Sequence, residues 1–348
     1  MRARSRIAAA VTALALTLPL AACGSDDGDG PGDVATVVPA TPAASPPDSG
    51  RPAGTVVPAL GPVGPASLVL VGGTAAVLGA DGVVRLYGAP AGGAPAPREV
   101  SGRPKATALA ADGDGFVAVS PTGFDLIARD GAVRTVAADL GRDPISVAVA
   151  DDGRYLVGTA SGHVLVFTRA GERERDIHSF VSVDRILVAP EKSAVAGQVT
   201  VVDRAQSSVT PIDVDSGEVK AALRAGNGVT NAVVDPAGRV IASNTRDDEL
   251  LGFFGQPIVM RFRFPVAHSP YAVAYDVARG LAWVATTGDN QALAYDLASG
   301  EPRQQVRIPT VGQVSSIAVD PTDGTLYLFS ARGDGLQVVA PADVDAAR

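Results

Sequence analysis

One cysteine, one tryptophan and three histidines are all that 348 residues contain of these types. With a single cysteine the chain has no internal disulfide. Three scattered histidines are a thin supply of metal ligands. The longest apolar run, Ile7 to Leu20, has 14 residues, short of the roughly 20 that a membrane-spanning helix needs. The motifs His-Glu-x-x-His, Cys-x-x-Cys, the phosphate-binding Walker loop and the nucleophile elbow are missing as well, which weakens every catalytic reading. Long amphipathic helical windows are absent, and aromatic residues are 5% of the chain against 39 glycines and 26 prolines. A turn-rich, all-β body follows.

The formal net charge is −8. Such a surface repels phosphate backbones, so no nucleic acid is expected as a partner. Positive charge is concentrated at the start: Arg2, Arg4 and Arg6 precede the apolar run, and Leu20-Ala21-Ala22-Cys23-Gly24 follows it. Residues 1–22 read as a signal peptide and belong outside any fold argument. Their junction with Cys23 resembles the lipobox of bacterial lipoproteins. That resemblance implies cleavage before Cys23, a diacylglyceryl group on its sulfur, and a location at the outer, extracytoplasmic face of the cell membrane. Loss of the three arginines takes the net charge from −8 to −11. Residues 23–53 are rich in Gly, Pro, Ser, Ala and Asp and cannot bury enough surface to fold, so they read as a flexible tether with a reach of about 30 Å.

Beyond the tether, residues 54–348 are organised by one repeat, clearest in Tyr271 to Glu301. Its alternating runs end at Asp276 and Gly280, at Thr287 to Asn290 and at Ser299-Gly300, giving short strands separated by turns that Gly, Asp and Asn favour. Starts comparable to its first strand occur seven times, at Ser67, Thr107, Ser146, Arg185, Asn231, Ala272 and Ser316. A spacing near 40 residues with several strands per unit predicts a seven-bladed β-propeller. The fourth repeat carries an insertion, Lys192 to Gly197. The seventh supplies three strands only, and Gly54 to Val57 is expected to add the fourth and close the ring, because an open blade edge would leave backbone groups unpaired.

Val234-Asp235-Pro236-x-Gly238, Val319-Asp320-Pro321-x-x-Gly324 and Trp283 to Asn290 followed by Tyr295-Asp296 resemble the YVTN-type repeats of YncE-like seven-bladed propellers. The usual Tyr-Val-Ala-Asn is altered here to Trp283-Val284-Ala285-Thr286. The resemblance implies a fold and carries no shared catalytic residue.

The candidate chemistry has plain structural readings. His163, His178 and His268 come from three repeats and read as surface residues, Asp112 to Gly115 as a turn, Asp235, Asp276 and Asp320 as turn caps, and Arg332-Gly333-Asp334 as ordinary repeat chemistry. No catalytic residue, metal ligand or cofactor is assigned. The expected function is a lipid-anchored, non-catalytic binding or scaffold module of the cell envelope. Propeller geometry gathers the loops leading into the first strands, and the turns between second and third strands, on one face. On that face Arg142, Asn227, His268, Gln313 and Arg332 are the candidate residues for an envelope protein or a polar or anionic ligand. The alternative is a propeller-type hydrolase, lactonase or lyase with its site at the channel mouth.

Overall fold

Alternation explains the architecture. In the strand Gly115–Ser120, Phe116 and Ala118 pack into one apolar cluster with Ala76, Leu78 and Leu86. Val117 and Val119, the residues between them, pack into another with Tyr155, Leu165 and Phe167. A strand with period two thus sends its apolar side chains to both faces of a sheet, and each face is covered by a different neighbour. The computed structural model describes residues 34–47, 50–88, 97–100, 105–141 and 143–348. Residues 1–33, including Cys23 and the span expected to be a signal peptide, lie outside the described residues, as does Arg142.

Seven four-stranded antiparallel sheets are formed. Their inner strands are Ser67–Val71, Ala108–Asp112, Pro144–Val149, Arg185–Val188, Val229–Val234, Pro270–Asp276 and Val314–Val319, each within one or two residues of the start expected from the repeat. Seven apolar clusters lie between them, one for every pair of neighbouring blades. The cluster joining the first and last blades sets Leu68, Val77 and Tyr87 against Tyr327, Phe329 and Val338. All-β, seven-bladed and closed, the chain is a β-propeller.

Closure uses the strand expected for it. Thr55–Val57 pairs antiparallel with Leu336–Val339, aligning Thr55 with Val338 and Val57 with Leu336. Gly54 makes the tight approach at φ +68°, where an added Cβ would lie 2.2 Å from the Val338 carbonyl oxygen. Just ahead of it, Gln337, fully buried, donates from Nε2 to the carbonyls of both Ala53 and Pro309 and accepts the Val311 N–H on its Oε1. One side chain thereby fastens the closing strand to blades six and seven together.

The recurring turn geometry of the repeat rests on aspartates. Asp235 accepts the N–H groups of Ala237 and Arg239 and pairs with the Arg239 guanidinium. Asp276 does the same for Arg279, and Asp320 accepts the Thr322 N–H. These are the turn caps that the sequence suggests.

Candidate functional site

The inner strands of all seven blades surround a channel cavity of about 270 Å³. It communicates with a second space of about 370 Å³ through shared walls of Ser67, Arg185, Asn231, Ser315 and Ser316. Pro65, Ala66, Gly82 and Ala106 complete the second space. These come from loops leading into inner strands and from the turn between second and third strands, so it is the mouth of the channel on the face singled out by the sequence, called here the top face.

Arg185 opens the inner strand of blade four and lines both spaces. Protein surrounds it while its surface stays open to the lumen, and burial pushes its guanidinium below the usual arginine range, where it remains a cation. Its Nη2 donates to Asn231 Oδ1 at 3.3 Å. A guanidinium carries five N–H donors, so most of its hydrogen-bonding capacity faces the channel. Asp184, beside it in the wall, is turned to a structural task and accepts the Arg204 N–H at 2.8 Å. The serines are partly committed: Ser146 donates to the Val183 carbonyl and Ser316 to that of Ala66.

The top face is also occupied. Residues 34–47, inside the span expected as a flexible tether, lie extended across blades four to seven. The Val37 N–H donates to the Ala205 carbonyl at 2.7 Å. Arg246 reaches the Val38 carbonyl at 2.6 Å and Arg204 that of Ala40 at 2.7 Å. Further along, Ser269 Oγ accepts the Ala43 N–H at 2.9 Å and Gln313 Nε2 donates to the Ala43 carbonyl at 3.1 Å. Asn290 and Arg332 both donate to the Pro46 carbonyl, at 3.2 and 2.6 Å. Ala40 is 3% exposed, and it fits because Gly228 beneath it has no side chain: a Cβ there would stand 2.8 Å from that of Ala40. Pro39, Pro42, Pro46 and Pro47 suit the segment to an extended form that makes no hydrogen bonds of its own and leaves its carbonyls free for partners.

Among the described candidate residues, Gln313 and Arg332 grip this segment. Asn227 is bound to Asp247 through its backbone N–H and its side-chain amide, and its carbonyl accepts from Arg246. His268 is exposed at φ +71°, with its carbonyl accepting the Gly288 N–H. Asn227, His268, Gln313 and Arg332 lie on one face of the ring and do not converge on one point.

Histidine placement differs from the expectation. His163 and His178 belong to the same blade, on paired strands where they stand opposite one another. Their rings stack at 4.0 Å, and His163 Nδ1 meets Asp176 Oδ1 at 2.6 Å. His163 is buried, not at the surface, because the outer strand covers it. Among the described residues no three His, Cys, Asp or Glu side chains come together in a metal-holding arrangement. Asp112 takes Arg169 and the Tyr155 hydroxyl as partners, and Asp334 ties Arg332 to the Gly312 N–H.

A larger groove, about 640 Å³, lies on the opposite face between blades four and five, beside the Lys192 to Gly197 insertion. Its carboxylates already have work: Asp213 caps its own turn and Asp215 pairs with Arg154. Arg185 in the channel is the less committed polar group, and the channel mouth is the stronger site on that ground.

Sequence reasoning passed over Arg185, although the signal was present: of the seven first-strand starts it is the one that carries a charge. It also passed over the docked segment. There the signal was a change of composition at Val34, from Gly and Asp to Val, Ala, Thr and Pro.

No family description matches the chain, and comparison with curated proteins finds no relative. Among solved structures it is similar to a chain of Kuenenia stuttgartiensis hydrazine synthase, at a TM-score of 0.64 and 16% identity, covering 84% of this chain and 99% of that one. At that identity the likeness shows the propeller fold and nothing of its chemistry.

Proposed function

We propose that the chain is a lipid-anchored, extracytoplasmic binding module of the cell envelope, held at the membrane through Cys23, whose ligand is a polar or anionic group received at the top-face mouth of the channel. The observation that carries the reading is Arg185: a cation on the channel wall, braced by Asn231 at 3.3 Å and lining both spaces of the lumen. A guanidinium held in a narrow, partly desolvated funnel favours carboxylate or phosphate groups, which it can engage through two donors at once. The arrangement is one of binding, with a cation and hydrogen-bond donors rather than an acid paired with a base.

Capture from detergent extracts of the source membranes tests the site. Arg185→Gln is expected to lose captured material at least tenfold while keeping the native melting temperature, since a buried hydrogen-bonded charge contact is worth roughly 2 kcal/mol or more. Unchanged capture by Arg185→Gln removes the channel mouth from consideration. For the anchor, Cys23→Ala is expected to release the protein from the membrane fraction; a variant that stays in it with unchanged mass refutes lipidation.

A further inference from the structure

The docked segment changes how much chain is free between the membrane and the body. Between Cys23 and Val37, the first residue of the segment bonded to the ring, there are thirteen residues, against thirty between Cys23 and Gly54. Thirteen linker residues would have an r.m.s. reach of about 20 Å and thirty about 30 Å; fully stretched, the limits are about 45 Å and about 100 Å.

The starting point of the shorter leash is fixed as well. Val37 bonds to Ala205, in the turn between the second and third strands of blade four, which lies on the top face. The body is about 20 Å from face to face, the height of a six- or seven-residue strand. To bring the opposite face to the lipid, the leash would have to cross from that turn to the blade rim, about 10 Å for two strand spacings, and then descend the side. That path of about 30 Å is half as long again as the r.m.s. reach of thirteen residues and takes up about two thirds of their full stretch. A thirty-residue leash would permit either orientation freely.

We infer that the segment 34–47 makes the top face, with the channel mouth and Arg185, the surface apposed to the lipid bilayer. The inference rests on the lipid-anchor reading. The lipid surface is the partner that the leash selects, through its length and not through charge, because the top face carries acids (Asp247, Asp289) beside its cations. A ligand of the channel mouth is then met within the narrow gap above the membrane, and the groove between blades four and five faces away from it.

Two positions in blade six report the orientation. Ala267 is exposed on the top face, in the loop leading into the inner strand, and Ala298 is exposed on the opposite face, in the turn after the third strand. With Cys23 acylated, Ala267→Cys or Ala298→Cys supplies the one thiol free for a fluorophore. The full chain is reconstituted into vesicles containing a headgroup-nitroxide lipid, floated, and the quenching of each label compared. Quenching is expected to be at least about twofold stronger at 267 than at 298. Inserting twenty Gly/Ser residues after Asp33, which restores the reach to about 30 Å, is expected to abolish the difference. Equal or reversed quenching in the native-length chain, or a difference that survives the insertion, overturns the inference while leaving the anchor intact. A protein that does not float with the vesicles overturns the anchor and the inference together.

Discussion

Gln313 holds Ser45 from both sides: its side-chain oxygen accepts the Ser45 N–H at 2.9 Å, and its own N–H donates to the Ser45 hydroxyl at 2.6 Å. The two residues are 268 positions apart, so this reciprocal pair exists only because the ring is complete. Ser45 Oγ also donates to the Thr287 carbonyl, which joins blades six and seven through a residue that belongs to neither.

Gln313→Ala is expected to loosen the docked segment without unfolding the propeller. Each lost hydrogen bond contributes about 1 kcal/mol, so hydrogen exchange of the amides of Ala43 and Ser45 should accelerate roughly tenfold or more, with protection of the blade strands unchanged. Unaltered exchange at these amides would mean that the other contacts, from Arg204, Arg246, Ser269, Asn290 and Arg332, hold the segment without Gln313.

Ring closure predicts a contrast between two deletions. Removing 24–33 is expected to leave the melting temperature in place. Removing 50–60 takes away Thr55–Val57, exposes the edge of Leu336–Val339 and strips Gln337 of its Ala53 partner; a lower melting temperature and aggregation should follow. Scanning calorimetry and light scattering on the two proteins decide it, and equal stability would remove the closing role. A deletion through residue 45, harmless for a free tether, now carries a cost of its own because it removes docked residues.

The pair Asp276 and Arg279 is almost wholly buried, with side chains 0% and 9% exposed and 2.9 Å between them. Trp283 Nε1 also donates to Asp276, at 3.4 Å. Asp276→Ala removes the buried partner of a guanidinium that keeps Asp345 and the Gly324 and Pro341 carbonyls, and the loss of the charge-assisted bonds to Asp276 is expected to cost about 1.5–3 kcal/mol. Denaturant unfolding followed by the fluorescence of Trp283, the one tryptophan of the chain, measures the loss. Replacing both partners, Asp276→Leu with Arg279→Met, should recover part of it.

Asp81 lies against the buried Arg85 at 2.6 Å. Hydrogen bonding from that guanidinium holds the Asp81 carboxyl below the usual range, against the opposing effect of burial. A lowered carboxyl contributes stability that is complete above the unfolded value near 3.8 and fades as the pH falls below it. The melting-temperature gap between the native chain and Asp81→Asn should therefore be constant from pH 8 to about pH 5 and narrow below about pH 4. A gap that stays constant to pH 3 would show that Asp81 acts through packing alone.

Most of the architecture was legible in the sequence because it is written in local terms. Alternation in Leu281 to Thr286 specifies a strand covered on both faces. Asp235, Asp276 and Asp320 mark turns by bonding their own backbone, and seven such units at a spacing near 40 residues specify a ring. Even the closing strand could be located, since the seventh repeat lacks an outer strand and Gly54 to Val57 offers one.

The site was decided elsewhere. Arg185 becomes a channel residue only when seven inner strands are set around an axis, and its isolation as a cation depends on what the other six contribute. His163 and His178 are separated by a turn in sequence and stack only because their strands pair. The segment 34–47 differs from the residues before it only in the change of composition at Val34, which does not say what it docks against. Its docking runs through main-chain carbonyls met by Arg204, Arg246, Asn290, Gln313 and Arg332, residues some 160 to 290 positions away that the folded ring alone brings onto one face. Local periodicity determines what a segment can become, whereas backbone recognition across the ring leaves no repeating pattern in the segment recognised, and so only the tertiary structure could show where it docks.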